Sequence, residues 1–183
     1  HGVEFTLSTR NISTKNFKWT TDFIFSNAKN KVTELKSDAN VMSMISGSGF
    51  ALEGNPVRSL YSLNFQGLNK EGLPTFINEK GELTVTDINF QERENKSHLA
   101  YEGSTDPTIT GSFGNIFSYK GFKLNVFMTY SFGNVIRLDP VFHNAYSDLD
   151  ATPREFKNRW TVAGDEKITT VPVIADLRQN TMN

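Results

Sequence analysis

Three histidines, His1, His98 and His143, are the nitrogen ligands this chain offers, and no two of them stand at the H-x-x-x-H spacing that presents two imidazoles to a metal. There is no cysteine, which excludes thiolate coordination, a thiol nucleophile and a disulfide framework. We expect the histidines in loops, and neither a metal nor any other cofactor. The carboxylates Asp148, Asp150, Glu155, Asp165 and Glu166 fall late in the chain, where a suitably spaced pair would serve glycoside hydrolysis as acid and base. A solvated acidic loop is the ordinary reading. Gly47-Ser48-Gly49 does not continue into a dinucleotide fingerprint or a phosphate loop and reads as a flexible turn. Asn78-Glu79-Lys80-Gly81 lacks the acidic series and terminal glutamate of a calcium loop and reads as a hairpin turn. No catalytic constellation emerges, so an enzyme is not expected.

The elements that would position any site must come from 183 residues, 37% hydrophobic and 21% charged, enough for one domain or one piece of a larger one. With 19 basic against 20 acidic side chains the net charge is −1, which argues against a general nucleic-acid binder. The 15 Phe, 5 Tyr and 2 Trp supply more aromatic surface than such a modest hydrophobic fraction implies. No run reaches the 18 or so apolar residues of a transmembrane helix, and no basic-then-apolar leader opens the chain. A membrane β-barrel stays open, because its strands alternate in polarity and hydropathy windows average them away.

Period two is the clearest signal. From Phe122 to Phe132, the residues Phe122, Leu124, Val126, Met128, Tyr130 and Phe132 share one face, while Lys123, Asn125, Phe127, Thr129 and Ser131 take the other. Ile109 to Tyr119 reads as the partner strand. A two-residue turn at Lys120-Gly121 then pairs Tyr119 with Phe122, Phe117 with Leu124 and Phe113 with Met128. Asn115 falls opposite Val126 on the apolar face and spoils it.

A second hairpin opens the chain. Val3, Phe5 and Leu7 alternate with polar residues, and Phe17, Trp19, Thr21, Phe23 and Phe25 alternate with Lys18, Thr20, Asp22, Ile24 and Ser26. The apolar faces coincide if a five-residue loop, Ile12 to Asn16, pairs Asn11 with Phe17. The chain thus divides into a wall hairpin (1–26), a long outer loop with local β structure (27–108), a second wall hairpin (109–133) and another outer loop (134–183). All six prolines lie in the two loop segments. Within the loops we expect strands at Leu60 to Phe65, at Thr75 to Ile77 with Leu83 to Val85, and at Thr169 to Ile174.

Tight turns on one side and long connections on the other mark an outer-membrane barrel with long extracellular loops. Eleven residues from Phe122 to Phe132, at about 3.3 Å each and a tilt near 45°, span roughly the 25 Å lipid-facing band. Phe122 at one end, with Tyr130 and Phe132 at the other, would sit at the interfaces as aromatic girdles. The fold class expected is therefore all-β: four antiparallel strands of a larger transmembrane β-barrel. Trp19, Phe23, Phe122, Leu124, Val126, Met128, Tyr130 and Phe132 then face lipid. A soluble extracellular β-sandwich that binds glycan is the rival, and it requires Phe122, Leu124 and Val126 to be covered by a second sheet. A complete eight-stranded barrel needs eight alternating segments, and four are found.

Several runs resemble the late barrel region of SusC/RagA-type TonB-dependent outer-membrane transporters of Bacteroidetes. They are Gly2-Val3-Glu4-Phe5-Thr6-Leu7-Ser8-Thr9-Arg10-Asn11, Asn16-Phe17-Lys18-Trp19-Thr20-Thr21 and Gly54-Asn55-Pro56-Val57-Arg58-Ser59-Leu60-Tyr61. The most specific stretch is Gly103-Ser104-Thr105-Asp106-Pro107, Gly111-Ser112-Phe113-Gly114-Asn115, Ser118-Tyr119-Lys120-Gly121-Phe122 and Tyr130-Ser131-Phe132-Gly133-Asn134, followed later by Asn158-Arg159-Trp160-Thr161-Val162. The resemblance covers almost the whole chain in one order. It implies an importer of oligosaccharides or peptides in a Gram-negative outer membrane, working with a SusD-like surface lipoprotein and the TonB system. It also implies a plug, a TonB-contacting segment and further strands, none of which is visible here, so the chain reads as a fragment supplying barrel wall and outer gate. In the outer loops, Tyr61, Phe65, Phe142, Tyr146 and Trp160 offer aromatic faces, with Arg58 and Arg159 beside them. Such groups suit stacking and hydrogen bonding of a ligand or lid. Arg58, Tyr61, Arg159 and Trp160 are the contact residues expected.

Overall fold

A computed structural model describes residues 1–47, 49–141, 149 and 151–174. Strands β1 (Gly2–Ser13), β2 (Phe17–Ala28), β7 (Ile109–Tyr119) and β8 (Phe122–Phe132) form one antiparallel sheet in the order β1-β2-β7-β8. The β7–β8 hairpin has the expected register, with Tyr119 opposite Phe122, Phe117 opposite Leu124 and Asn115 opposite Val126. Both turn residues have positive φ, 44° at Lys120 and 91° at Gly121, the conformation whose twist matches that of the strands it joins.

The first hairpin differs from expectation. Phe5 pairs with Phe25 and Leu7 with Phe23, two residues displaced from the expected register, and the connection is Thr14-Lys15-Asn16. The turn pairs Ser13 with Lys18, and a bulge between Arg10 and Ile12, which leaves Asn11 without a ladder partner, then shifts the register by one and so brings the two apolar rows to one face. A displacement of two keeps every side chain on its face, so the apolar row survives. The turn is closed by the Thr14 amide and hydroxyl donating to the Phe17 carbonyl at 2.8 and 3.0 Å.

Pairing of β2 with β7 makes one sheet of the two hairpins, with Trp19 opposite Phe117, Thr21 opposite Asn115 and Phe23 opposite Phe113. Phe122, Leu124 and Val126 are 82%, 60% and 41% exposed, so no second layer among the described residues covers them as the sandwich reading requires. The buried apolar residues among those described are Val41, Met44, Leu60, Tyr61 and Leu68, and none comes from these four strands.

The chain forms two compact units: His1–Ser37, Ser48–Leu60 and Glu102–Ile136 in one, and Asp38–Gly47, Tyr61–Tyr101 and Arg137–Asn183 in the other. A second sheet has the order β5-β4-β3-β6, from β3 (Ser59–Leu68), β4 (Pro74–Ile77), β5 (Leu83–Thr84) and β6 (Leu99–Ser104). The hairpin around Glu79-Lys80-Gly81 is as expected; Asn78 Oδ1 accepts the Lys80 and Glu82 amides at 3.0 and 2.9 Å. Strand β6 was not legible in the sequence. The strand expected at Thr169 to Ile174 does not form: Pro172 has no donor for a ladder, and isolated bonds from Trp160 N to Val171 O and from Val173 N to Gly72 O replace it. Among the described residues, helix is confined to α1 (Val41–Ile45) and the 3-10 turns Arg154–Asn158 and Asp165–Lys167. Asn40 caps α1 by accepting the Ser43 amide at 2.9 Å. No described helix is long and apolar enough to cross a membrane.

Candidate functional site

Strand alternation and the observed register set the site. One face of the first sheet carries Phe5 and Leu7 from β1, Phe17, Trp19, Phe23 and Phe25 from β2, Phe113, Phe117 and Tyr119 from β7, and the six apolar residues of β8. Aromatic pairs knit neighbouring rows: Trp19 stacks on Phe117 at 5.7 Å and Phe5 tilts against Phe23 at 6.3 Å. Trp19 and Phe23 are half-buried by these neighbours. At the end away from the tight turns, Tyr130 and Phe132 stack at 5.8 Å.

Asn115, the misfit of the sequence, is paired. Its Oδ1 accepts Trp19 Nε1–H at 2.9 Å and the Thr21 hydroxyl at 2.7 Å, while Asn11 Nδ2 donates to Thr21 Oγ1 at 2.6 Å. Three strands thus close a polar belt within the apolar face, and the bulge at Asn11 serves it. An unpaired amide in an apolar surround would cost about 1–3 kcal/mol. The sequence carried the signal, an Asn in register with Thr21, but only the β2–β7 pairing brings them together.

Two glycines admit aromatic rings. A Cβ at Gly111 would collide with the Ile24 carbonyl and the Tyr130 ring, and Tyr130 reaches across it to donate its hydroxyl to Ile24 O at 2.9 Å. A Cβ at Gly114 would lie 2.9 Å from Phe127 Cδ2, so that ring covers backbone on the polar face. That face otherwise bears Lys18, Ser118 and Lys123 at one level and the Ser8–Asp22 hydrogen bond, 2.7 Å, further along.

The four expected contact residues have separate partners. Arg58 pairs with Asp106 at 2.9 Å on the surface. Tyr61 is 2% exposed and tilts against Tyr101 at 5.9 Å, and its carbonyl accepts Arg137 Nη2 at 3.0 Å. Arg159 lays its guanidinium over the Phe156 ring at 4.6 Å and lines a pocket of about 640 Å³ with Lys157, Thr161 and Thr169. Trp160 packs its indole on Gly72, where no side chain would fit, and faces Glu166 Oε2 at 3.4 Å. Phe65 tilts against Phe76 at 5.9 Å. Phe142, Tyr146, His143, Asp148, Asp150 and Ser48 lie outside the described residues.

Two of the late carboxylates, Asp165 and Glu166, hold backbone of their own turn. Asp165 Oδ2 accepts the Thr161 amide, the Val162 amide and the Thr161 hydroxyl, which hold its pKa below the usual range. Glu166 is likewise lowered, by its own backbone amide first and by that of Gly164 next. A general acid for glycoside hydrolysis needs the opposite shift. Glu155 is exposed, His1 is exposed, and His98 is 4% exposed with neither ring nitrogen bonded among the described residues. No three His, Asp or Glu side chains among the described residues converge on a point that would hold a metal.

No family model matches the sequence. TonB-dependent receptor P3 of Formosa agariphila is 30% identical over 193 aligned positions, covering 97% of this chain and 19% of that protein. The RagAB peptide importer matches in its open-open state with a TM-score of 0.63, at 22% identity over 96% of this chain and 19% of that one. Its closed-closed state gives a TM-score of 0.62, at 22% identity over 96% and 20%. The chain spans about a fifth of the length of these relatives. Together they bear out the resemblance to TonB-dependent transporters and the fold class read from the alternation: all-β, antiparallel strands of a transmembrane barrel with long loops.

Proposed function

We propose that this chain, similar over nearly all its length to one stretch of a TonB-dependent receptor, supplies four wall strands and two outer loops of an outer-membrane importer of oligosaccharides or peptides. Residues 1–26 and 109–133 are its wall hairpins; 27–108 and 134–183 are its outer loops. The observation that carries the reading is the exposed apolar face shared by β1, β2, β7 and β8, backed by a polar face and ended by two tight turns. Trp19, Phe23, Phe122, Leu124, Val126, Met128, Tyr130 and Phe132 meet acyl chains. The outer edges of β1 and β8 pair with further wall strands, since unpaired backbone groups are too costly in hydrocarbon.

Transport proceeds by binding and gated passage, without covalent chemistry. A SusD-like lipoprotein closes the outer side, and the TonB system supplies energy through regions other than these residues. Peptide as cargo is supported by the likeness to the RagAB peptide importer, and glycan by the aromatic and arginine side chains of the loops. Arg58, Arg159 and Trp160 contribute to the ligand or lid contact, Arg159 being held ready over Phe156 beside an open pocket, whereas Tyr61, 2% exposed and packed on Tyr101, supports the loop from within.

The test is uptake of labelled peptides and oligosaccharides by cells lacking the intact receptor and by the same cells with it restored. Loss and recovery of one cargo class identifies it; unchanged uptake of both classes would sink the importer reading. Alanine at both Arg159 and Trp160 in the intact receptor reduces binding of that cargo or of the lid, and full retention of both removes the contact assignment.

A further inference from the structure

The two tight turns of the first sheet lie side by side, with the Lys120 amide donating to Asn16 O at 3.1 Å. Residues 10–20 and 116–125 contain Arg10, Lys15, Lys18, Lys120 and Lys123 and no Asp or Glu, in a chain whose acids outnumber its bases, 20 to 19. The register divides these cations between the two faces. Lys18 stands opposite Ser118 and Ser118 opposite Lys123, so all three share the polar face, with Ser13 of β1 beside Lys18. Arg10 occupies the same face one level further along, opposite Thr20. Lys120 instead lies over the Tyr119 ring, 5.4 Å from its centroid, and Tyr119 belongs to the apolar face. The polar face thus carries Lys18, Lys123 and Arg10 towards its tight-turn end, all of them exposed.

Carboxylates stand away from this row. The four strands hold two, Glu4 and Asp22. Asp22 lies further along β2 than Lys18 by about 13 Å at the strand rise, and it accepts the Ser8 hydroxyl at 2.7 Å. Glu4 lies further still, opposite Ser26. Arg58, Lys80, Arg93 and Lys96 each sit against a carboxylate, whereas Lys18, Lys123 and Arg10 form no ion pair among the described residues. Adjacent strands run about 4.8 Å apart, so the backbones of Lys18 and Lys123 are roughly 10 Å apart with Ser118 between them. Two flexible lysine stems and a hydroxyl donor can meet on one carboxylate at that spacing. A wall lined by one sign of charge concentrates the other, rings of Lys or Arg select anions in pores, and lumen-facing residues of a barrel tune its selectivity. We infer that Lys18, Ser118 and Lys123 form a carboxylate-binding station on the pore side of the wall, which makes the receptor prefer acidic cargo to neutral cargo of the same length. The inference rests on the importer reading proposed above and adds the charge of the cargo to it. Acidic peptides and uronate oligosaccharides both supply the carboxylate.

The experiment measures uptake by cells whose one copy of the intact receptor contains this chain, against cells lacking it. The probes are two labelled pairs: a peptide rich in aspartate with its asparagine counterpart, and an oligogalacturonate with its methyl ester. Whichever pair is imported identifies the source of the carboxylate, and within it the acidic member enters faster. K18Q and K123Q each lower that preference by about fourfold, the attraction between unit charges about 5 Å apart in water, and added salt lowers it as well. K18R/K123R keeps it. A heat-dependent gel shift confirms that each variant is a folded barrel. Equal uptake within the imported pair, a preference unchanged in K18Q/K123Q, or its loss in K18R/K123R overturns the inference. Equal loss of both members in K18Q/K123Q, with a lowered melting temperature, assigns the lysines to an acidic segment of the receptor itself and overturns it likewise. Uptake of neither pair above the cells lacking receptor is a different result, and rejects the importer reading together with the inference built on it.

Discussion

The indole N–H of Trp19 donates to Asn115 Oδ1 at 2.9 Å across two adjacent strands, inside a face otherwise made of aromatic and aliphatic side chains. The oxygen is shared with the Thr21 hydroxyl, so one side chain satisfies two donors that would otherwise stand unpaired. Asn115→Leu should therefore destabilise the intact barrel by about 1–3 kcal/mol despite adding apolar surface. Trp19→Phe combined with it should recover part of the loss, because one orphaned donor is gone. Unfolding of the reconstituted barrel in urea measures both, and strictly additive effects would show that the hydrogen bond carries no coupling.

On the proposed wall reading, neighbouring residues of β8 face lipid and pore in turn. Val126→Lys should cost about 2–4 kcal/mol near the midplane of a bilayer, whereas Asn125→Lys, on the polar face, should be nearly silent. The same unfolding assay in the folded whole barrel decides it. Equal tolerance of the two substitutions would reverse the facing assignment.

Gly111 and Gly114 differ in what blocks a side chain. At Gly111 the obstacle includes the Ile24 backbone carbonyl, which cannot move without breaking the β2–β7 ladder; at Gly114 it is the edge of the Phe127 ring, which can turn. Gly111→Ala is expected to cost about 1–3 kcal/mol and Gly114→Ala distinctly less. Thermal melts of the two variants in the same lipid should keep that order.

Asp165 and Glu166 hold the turn at Thr161–Gly164 through carboxylates whose pKa values are lowered by amide hydrogen bonds. A lowered folded-state pKa means the contribution is complete above the ordinary carboxylate range, near about 4, and is lost as pH falls through the folded value. Amide protection at Thr161, Val162 and Gly164 should stay level from neutral pH down to that range and fall below it. Asp165→Asn should flatten the fall at Thr161 and Val162, and protection that is lost already near neutrality would exclude these carboxylates as its source.

Alternation alone made much of the first sheet legible. A residue pair two apart on a strand must share a face, so the apolar row Phe122 to Phe132 and its register against Ile109 to Tyr119 were legible from residue type and a two-residue turn. The first hairpin was legible in faces but not in register, since a shift by two leaves the pattern unchanged and the bulge at Asn11 has no signature in local sequence. In the loops, the strand at Leu60 to Phe65 and the short turn around Gly81 were legible, and β6 was not. At Val171-Pro172, β-branched residues suggested a strand that a missing donor forbids.

The sequence by itself determined which side chains share a face and that the chain holds no thiol chemistry, because period two and composition are local properties. Tertiary structure alone decided that β2 joins β7, that Asn115 is satisfied, and that Tyr61 turns inward against Tyr101 and Arg137. Each of those depends on residues brought together across about ninety or more positions of chain or across separate loops, and pairing at such range is set by backbone hydrogen bonds and packing, which no short window of sequence contains.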